Sequence, residues 1–524
     1  MTDEPVVVDG ESLTPGAVER VARRGASVRV SEDARERVRE SRERIVDIVE
    51  SGEAVYGVNT GFGELVQERI PEEDIETLQQ NLVRSHAAGT GSELASEAVR
   101  AMLLTRLNAL VKGYSGVRER IVDVLVEMIN EAVHPVVKAK GSLGASGDLA
   151  PLAHLALVVT GEGEATVDGE RLPGAEALQR KDIEPVTLRA KEGLGLINGT
   201  QLTVGLASLV VCDAERAMRA ADVAGAMTTE ATMSTTASSH PSIHSVRPHP
   251  GQTESAENVR RLTRDSEIVE SHRNCDRVQD AYSLRCLPQV HGAVRDSIRH
   301  LREAVETELN SATDNPLVFP AEEADDRASG TDRAAVLSGG NFHGQPLALR
   351  LDYVTSGLAE LASISERRMD RMLNPNVQEE HLPPFLIEGS GLRSGYMIAQ
   401  YTAADLVSTN RSQGRPSTDN IPVSGNQEDH VSMSAQSAYA ARETVESTLR
   451  VVGIELACAA QALDFVEDCS PGVGTDAAYR AVRERVPHLD EDRPIHRDID
   501  AVLSLLRSDT LLDAVEAALD EPLT

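Results

Sequence analysis

Apolar residues recur every three or four positions through residues 45–49, 101–110 and 121–129, the period of helices that turn one face inward. Longer stretches with the same period lie near 200–228, 288–310, 344–373 and 430–468. Periodic segments of that length predict a large bundle of long helices. The first thirty residues read differently. The runs Val6–Val8 and Val28–Val30 are strand-like, and between them Thr14-Pro15 forms an N-cap and first-turn pair that starts a helix. Residues 166–172 predict a hairpin turning at Asp168-Gly169. The acidic stretch 321–333 predicts a solvated excursion between the apolar segments 317–319 and 336–337. Neither an internal repeat nor a low-complexity linker interrupts the chain, so one continuous body is expected.

Composition narrows the function classes. Of 524 residues, 40% are apolar and 26% charged, enough hydrophobic material to bury a core and to exclude global disorder. Acidic residues outnumber basic ones by 84 to 52, a net charge of -32 that repels phosphate backbones, so no nucleic-acid partner is expected. Lys112, Lys138, Lys140, Lys181 and Lys191 are the only lysines. A carboxylate-rich, lysine-poor chain is similar to proteins of extreme halophiles, where molar salt screens self-repulsion beyond roughly 3 Å. Cys212, Cys275, Cys286, Cys458 and Cys469 are scattered without paired spacing and read as reduced thiols in a cytosol. The first residues lack a secretion signal, and the most apolar run, 202–212, is too short to span a bilayer. A cytoplasmic protein without a membrane partner is expected, acting on small molecules and associating with copies of itself. His240, His244 and His249 lie in a proline-broken loop without metal-ligand spacing, so no metal site is expected.

Two glycine-rich loops, 56–63 and 141–148, carry no helical or strand period. The second contains Ala145-Ser146-Gly147. In such a tripeptide the Gly147 nitrogen has no Cβ beside it to block closure on the Ala145 carbonyl. Loss of water from the ring and from Ser146 would leave 4-methylidene-imidazol-5-one (MIO), an electrophile that none of the twenty side chains provides. Small tripeptides are common, and this one gains meaning from its company. YGVNTGFG (56–63), SHAAG (85–89), GASGDL (144–149), EGLGLINGTQ (192–201), QDAYSLRCLPQ (279–289), TDNP (313–316), SGGNFHGQ (338–345) and QEDHVSM (427–433) follow in order. On these motifs the chain resembles the histidine, phenylalanine and tyrosine ammonia-lyase family over nearly its whole length.

The resemblance implies a mainly α fold. A small mixed α/β N-terminal domain bearing the electrophile, residues 1–198, would be followed by a long-helix bundle with a C-terminal helical region, 199–524. It implies a homotetramer in which each site is built from three chains. It further implies non-oxidative loss of ammonia from an α-amino acid, with an autocatalytic MIO from Ala145, Ser146 and Gly147 and no metal or diffusible cofactor. By that resemblance Tyr56 would be the base for the β-proton, its phenolate favoured by the site. Arg285 would clamp the substrate carboxylate with Tyr282 and Asn315. Asn198 and Gln279 would hydrogen-bond the MIO oxygen and substrate. His86 and Glu428 would face the substrate ring, Glu428 binding it or moving protons, and Phe342 would close the pocket. Asp148 and Glu192 would support the loop and its cyclisation. Ser85-His86 is the pair of histidine-selective members, which implies L-histidine as substrate and trans-urocanate as product, the opening step of histidine degradation. The alternatives are a phenylalanine or tyrosine ammonia-lyase, an aminomutase on the same framework, or a helical scaffold without chemistry. Ala281 and Gln345 depart from the family's frequent Pro and Glu, and neither change removes a proposed chemical group.

Overall fold

In a computed structural model, the protein is described over residues 4–52, 55, 57–58, 60, 70–273, 277–325 and 327–524. It is mainly helical and divides into two compact units, each discontinuous in sequence. The first comprises residues 1–212, 301–352 and 415–439, and the second 213–300, 353–414 and 440–524. Residues 301–352 and 415–439 thus belong with the N-terminal part, not with a bundle beginning at 199. A periodic pattern marks a helix without marking where along its length the packing partners change.

In the first unit, Val6–Val8 and Val28–Val30 pair in parallel with Val6 opposite Val28. The crossover between them is the helix Pro15–Arg24, whose first turn is capped by the Thr14 side chain accepting from Ala17 N. The hairpin forms as the Asp-Gly pair predicts: Glu164–Val167 pairs with Glu170–Pro173, and Asp168 and Gly169 take φ of 50° and 81°. The acidic excursion is less loose than expected, because Ser329–Gly330 adds a short strand to Ala334–Leu337, which also pairs with Leu317–Pro320.

The helix Ser96–Val111 departs from a one-faced reading. Every residue from Ala98 to Val111 is buried, including Arg100, Arg106 and Asn108. Several of their polar atoms are matched inside the unit, although Arg106 Nε and Nη2 are buried without a partner. Arg100 Nε donates to Val21 O at 2.8 Å, and Asn108 Nδ2 to Leu309 O at 2.8 Å. Arg106 Nη1 donates to Asn198 O and Gln201 Oε1, each at 2.7 Å. Burial lowers the Arg106 pKa to about 10, against the opposing charge of Asp314. This guanidinium ties the core helix to the 198–201 turn.

In the second unit, residues from the four long helices Gln201–Ala231, Leu287–Leu309, Gln345–Leu373 and Ser434–Leu463 meet in a buried ionic network. Arg368 Nη2 donates to Glu455 Oε2 at 2.8 Å, and Thr228 and Ser365 donate to the same carboxylate at 2.9 and 2.6 Å. Arg368 Nη1 also meets His291 Nε2 at 3.1 Å. A guanidinium can only donate, so Nε2 accepts and the Nδ1 hydrogen goes to Asp222 Oδ1 at 2.7 Å. Burial lowers the His291 pKa, consistent with that neutral tautomer. Asp222 is completed by Arg295 at 2.6 Å.

Candidate active site

A cavity of about 900 Å³ opens in the first unit, and all its lining residues belong to that unit. Five loops and one helix end converge on it. Ala145 and Ser146 precede the helix Leu149–Val159, and Asn198 lies between the helices Glu192–Ile197 and Gln201–Ala231. Phe342 and His343 precede Gln345–Leu373. Glu428 ends a tight turn whose Val423 N donates to Glu428 O at 3.1 Å, and His86 closes the helix Ile75–His86. Asn315 also lines the cavity, and its Oδ1 accepts from Gly339 N at 2.8 Å.

Contacts within the cavity join residues far apart in sequence. Ser146 Oγ donates to Glu428 Oε1 at 3.0 Å. Asn198 Nδ2 donates to Ser146 O at 3.2 Å, and Asn198 Oδ1 is buried without a protein partner. His86 Nδ1 lies 2.8 Å from Leu82 O. A carbonyl only accepts, so this contact places the hydrogen on Nδ1 and leaves Nε2 an acceptor in the neutral ring.

The tripeptide is shaped by what lies behind it. Gly147 has φ of 73°, and a Cβ there would fall 2.1 Å from Gly199 O. The next residue holds the register: Asp148 N donates to Gly199 O at 2.7 Å. Asp148 is fully buried, accepting from Ser142 Oγ at 2.7 Å and Thr203 N at 2.8 Å. Burial raises its pKa and these hydrogen bonds oppose the rise. Glu308, which accepts from Thr200 Oγ1 at 2.5 Å, is pushed up to about 7 by burial. Beside Asn315, Lys191 Nζ pairs with Asp314 Oδ2 at 2.7 Å, both side chains buried. Glu192, also buried, takes a 2.7 Å ion pair from Arg118.

Of the expected site residues, Ala145, Ser146, Asn198, His86, Asn315, Phe342 and Glu428 line the cavity, with Gly147 adjoining. Tyr56 lies outside the described residues. Gln279, Tyr282 and Arg285 belong to the second unit and are not among the lining residues. Tyr282 is 71% exposed, and the Arg285 guanidinium lies 4.8 Å from its ring centroid. Sequence reasoning passed over Ser424, Gln427, His343 and His430, which also line the cavity. Gln427, His343 and His430 stand inside the motifs SGGNFHGQ and QEDHVSM, so position within a motif was the available signal. Among the described residues, no group of three or more His, Cys, Asp or Glu could hold a metal ion.

The aromatic amino acid lyase family model matches residues 13–484. This chain belongs to the aromatic amino acid lyase family. As a member, it is 64% identical over 524 residues to the probable histidine ammonia-lyase of Halobacterium salinarum, covering all of both chains. It is 51% identical to the histidine ammonia-lyase of Gloeobacter violaceus, covering 98% of each. Among solved structures, histidine ammonia-lyase from Trypanosoma cruzi superposes with a TM-score of 0.89 at 41% identity, over 98% of this chain and 95% of that one. Tyrosine aminomutase from Streptomyces globisporus superposes with a TM-score of 0.92 at 39% identity, over 99% and 100%. A lyase and an aminomutase thus share this fold.

Proposed function

We propose that this lyase eliminates ammonia from L-histidine to give trans-urocanate. The observation that carries the reading is the polarity of the cavity. His86 offers a bare Nε2 and Glu428 a carboxylate, both on a wall also lined by Leu82, Leu149 and Leu194. An imidazole N–H satisfies such an acceptor, whereas a phenyl ring would strand both at a cost of roughly 1–3 kcal/mol per unpaired group. The full-length likeness to histidine ammonia-lyases supports the same substrate.

The buried tripeptide, with room for no side chain at Gly147 and a hydroxyl acceptor beside Ser146, fits conversion of Ala145-Ser146-Gly147 to MIO. That group supplies an electrophilic carbon for the substrate amine, making it a better leaving group. The remaining work falls to the chain's own residues. Tyr56, as phenolate, takes the β-proton while the carbon–nitrogen bond breaks and the new double bond forms. Arg285 clamps the substrate carboxylate, with Tyr282 and Asn315 beside it. Asn198 and Gln279 hydrogen-bond the reacting groups, and Phe342 covers them. Asp148 holds the loop from behind. In this reading Gln279, Tyr282 and Arg285 reach the cavity from other copies of the chain in a homotetramer. The charge of -32 and the scarcity of lysine fit a salt-rich cytoplasm.

The test is ultraviolet assay of purified protein in high salt. Urocanate is expected from L-histidine, with cinnamate from L-phenylalanine formed at least about a hundredfold more slowly. Comparable rates on the two substrates would reject the histidine assignment.

A further inference from the structure

His343 lines the cavity and has no place in the chemistry above. Its surroundings define its tautomer. Gln345 N donates to Nδ1 at 3.4 Å, and Nε2 lies 3.2 Å from His430 O. An amide N–H donates and a carbonyl accepts, so Nδ1 is bare and Nε2 carries the hydrogen. The ring also lies parallel to that of His430, at 5° and a centroid separation of 5.9 Å. His343 itself sits on a braced turn: its N donates to Gly340 O at 2.9 Å, and Gly344 N donates to Gly144 O at 3.1 Å.

That Gly144 carbonyl also accepts from Ser432 Oγ at 2.8 Å, and Met433 N donates to Leu143 O at 2.8 Å. The loop bearing Ser146, the turn bearing His343 and the segment following Glu428 are therefore tied at one place. From the other side, Asn420 holds the same segment, accepting from Val431 N and donating to Asp429 O, each at 2.9 Å. Glu428 immediately precedes the tied residues 429–433, on a turn largely exposed to solvent.

We propose that His343 is a positioning residue for Glu428: its Nε2–H holds the His430 carbonyl, and with it the carboxylate, against the Ser146 side of the cavity. The inference rests on the proposed elimination only for its kinetic readout. An error of about 1 Å in a catalytic group costs up to roughly a hundredfold in rate. His343→Ala is expected to lower kcat for urocanate formation by about tenfold to a hundredfold, while His343→Gln, which retains an N–H donor, recovers most of it. Because the effect passes through Glu428, His343→Ala added to Glu428→Gln should lower the rate by less than about twofold further, whereas independent roles would multiply. Amide hydrogen exchange in the 427–433 segment supplies a readout without substrate. It should quicken in His343→Ala and return toward the wild-type rate in His343→Gln. Multiplying kinetic effects, or unchanged exchange in a folded His343→Ala protein, would overturn the proposal. If the wild type makes no urocanate, the substrate reading falls and the exchange comparison still decides His343.

Discussion

At the scale of single residues, Gly147 has the least latitude. Its φ of 73° would cost an ordinary L-residue about 1–2 kcal/mol, and the approach of Gly199 O to 2.1 Å from any Cβ adds a clash with backbone. Gly147→Ala must therefore move the loop that bears Ser146. The expected outcome is a protein at its uncyclised mass and without lyase activity, where the wild type is lighter by two water molecules; intact-mass spectrometry separates the two. The tripeptide was legible because its small residues suit backbone chemistry and stand among matching motifs. The Ser146–Glu428 contact was not, because it spans 282 positions that only folding brings together. The His86 tautomer was likewise hidden, since it is set by a carbonyl of its own helix.

At the scale of elements, the four long helices were visible from their period, and their observed limits, such as Gln345–Leu373 against an expected 344–373, lie close to the reading. What period did not show is that buried polar residues of these helices pair with one another. Arg368 and Glu455 are both fully buried. A buried ion pair gains little over a well-packed apolar pair, but removing one partner leaves the other charge stranded. Arg368→Met should thus destabilise the protein by about 3–5 kcal/mol by orphaning Glu455 and freeing His291 Nε2. Arg368→Met combined with Glu455→Leu should recover a large part of that loss. Denaturant midpoints, measured at one salt concentration, give both values; a single variant as stable as the wild type would contradict the network's role.

At the scale of the whole molecule, charge governs. With 84 acidic residues against 52 basic, repulsion within the chain and between copies is long-ranged in dilute buffer and confined to roughly 3 Å in molar salt. Many surface carboxylates are already paired with arginine, as in Arg39 with Glu32 and Glu36 or Arg171 with Glu164. Exposed pairs of this kind contribute only about 0–1 kcal/mol each. Dialysis to low salt is therefore expected to reduce both the assembled fraction and the activity, and return of salt to restore them. Sedimentation and urocanate assay on the same samples check this, and an unchanged, active assembly in dilute buffer would remove the halophilic reading. No helix among the described residues is long and apolar enough to cross a membrane.

Local sequence by itself determined the elements: strands at Val6–Val8 and Val28–Val30, the capped helix after Thr14, the Asp-Gly hairpin and the long helices. Each of these depends on residues a few positions apart, and propensity, capping and turn chemistry act over that range. Ordered motifs were enough for the family. Tertiary structure alone decided that 301–352 and 415–439 pack with the N-terminal part, that the helix Ser96–Val111 is buried all round, and that Glu428 meets Ser146. These depend on which distant surfaces cover one another, and the free energy of burying a side chain is set by neighbours that its own stretch of sequence does not contain.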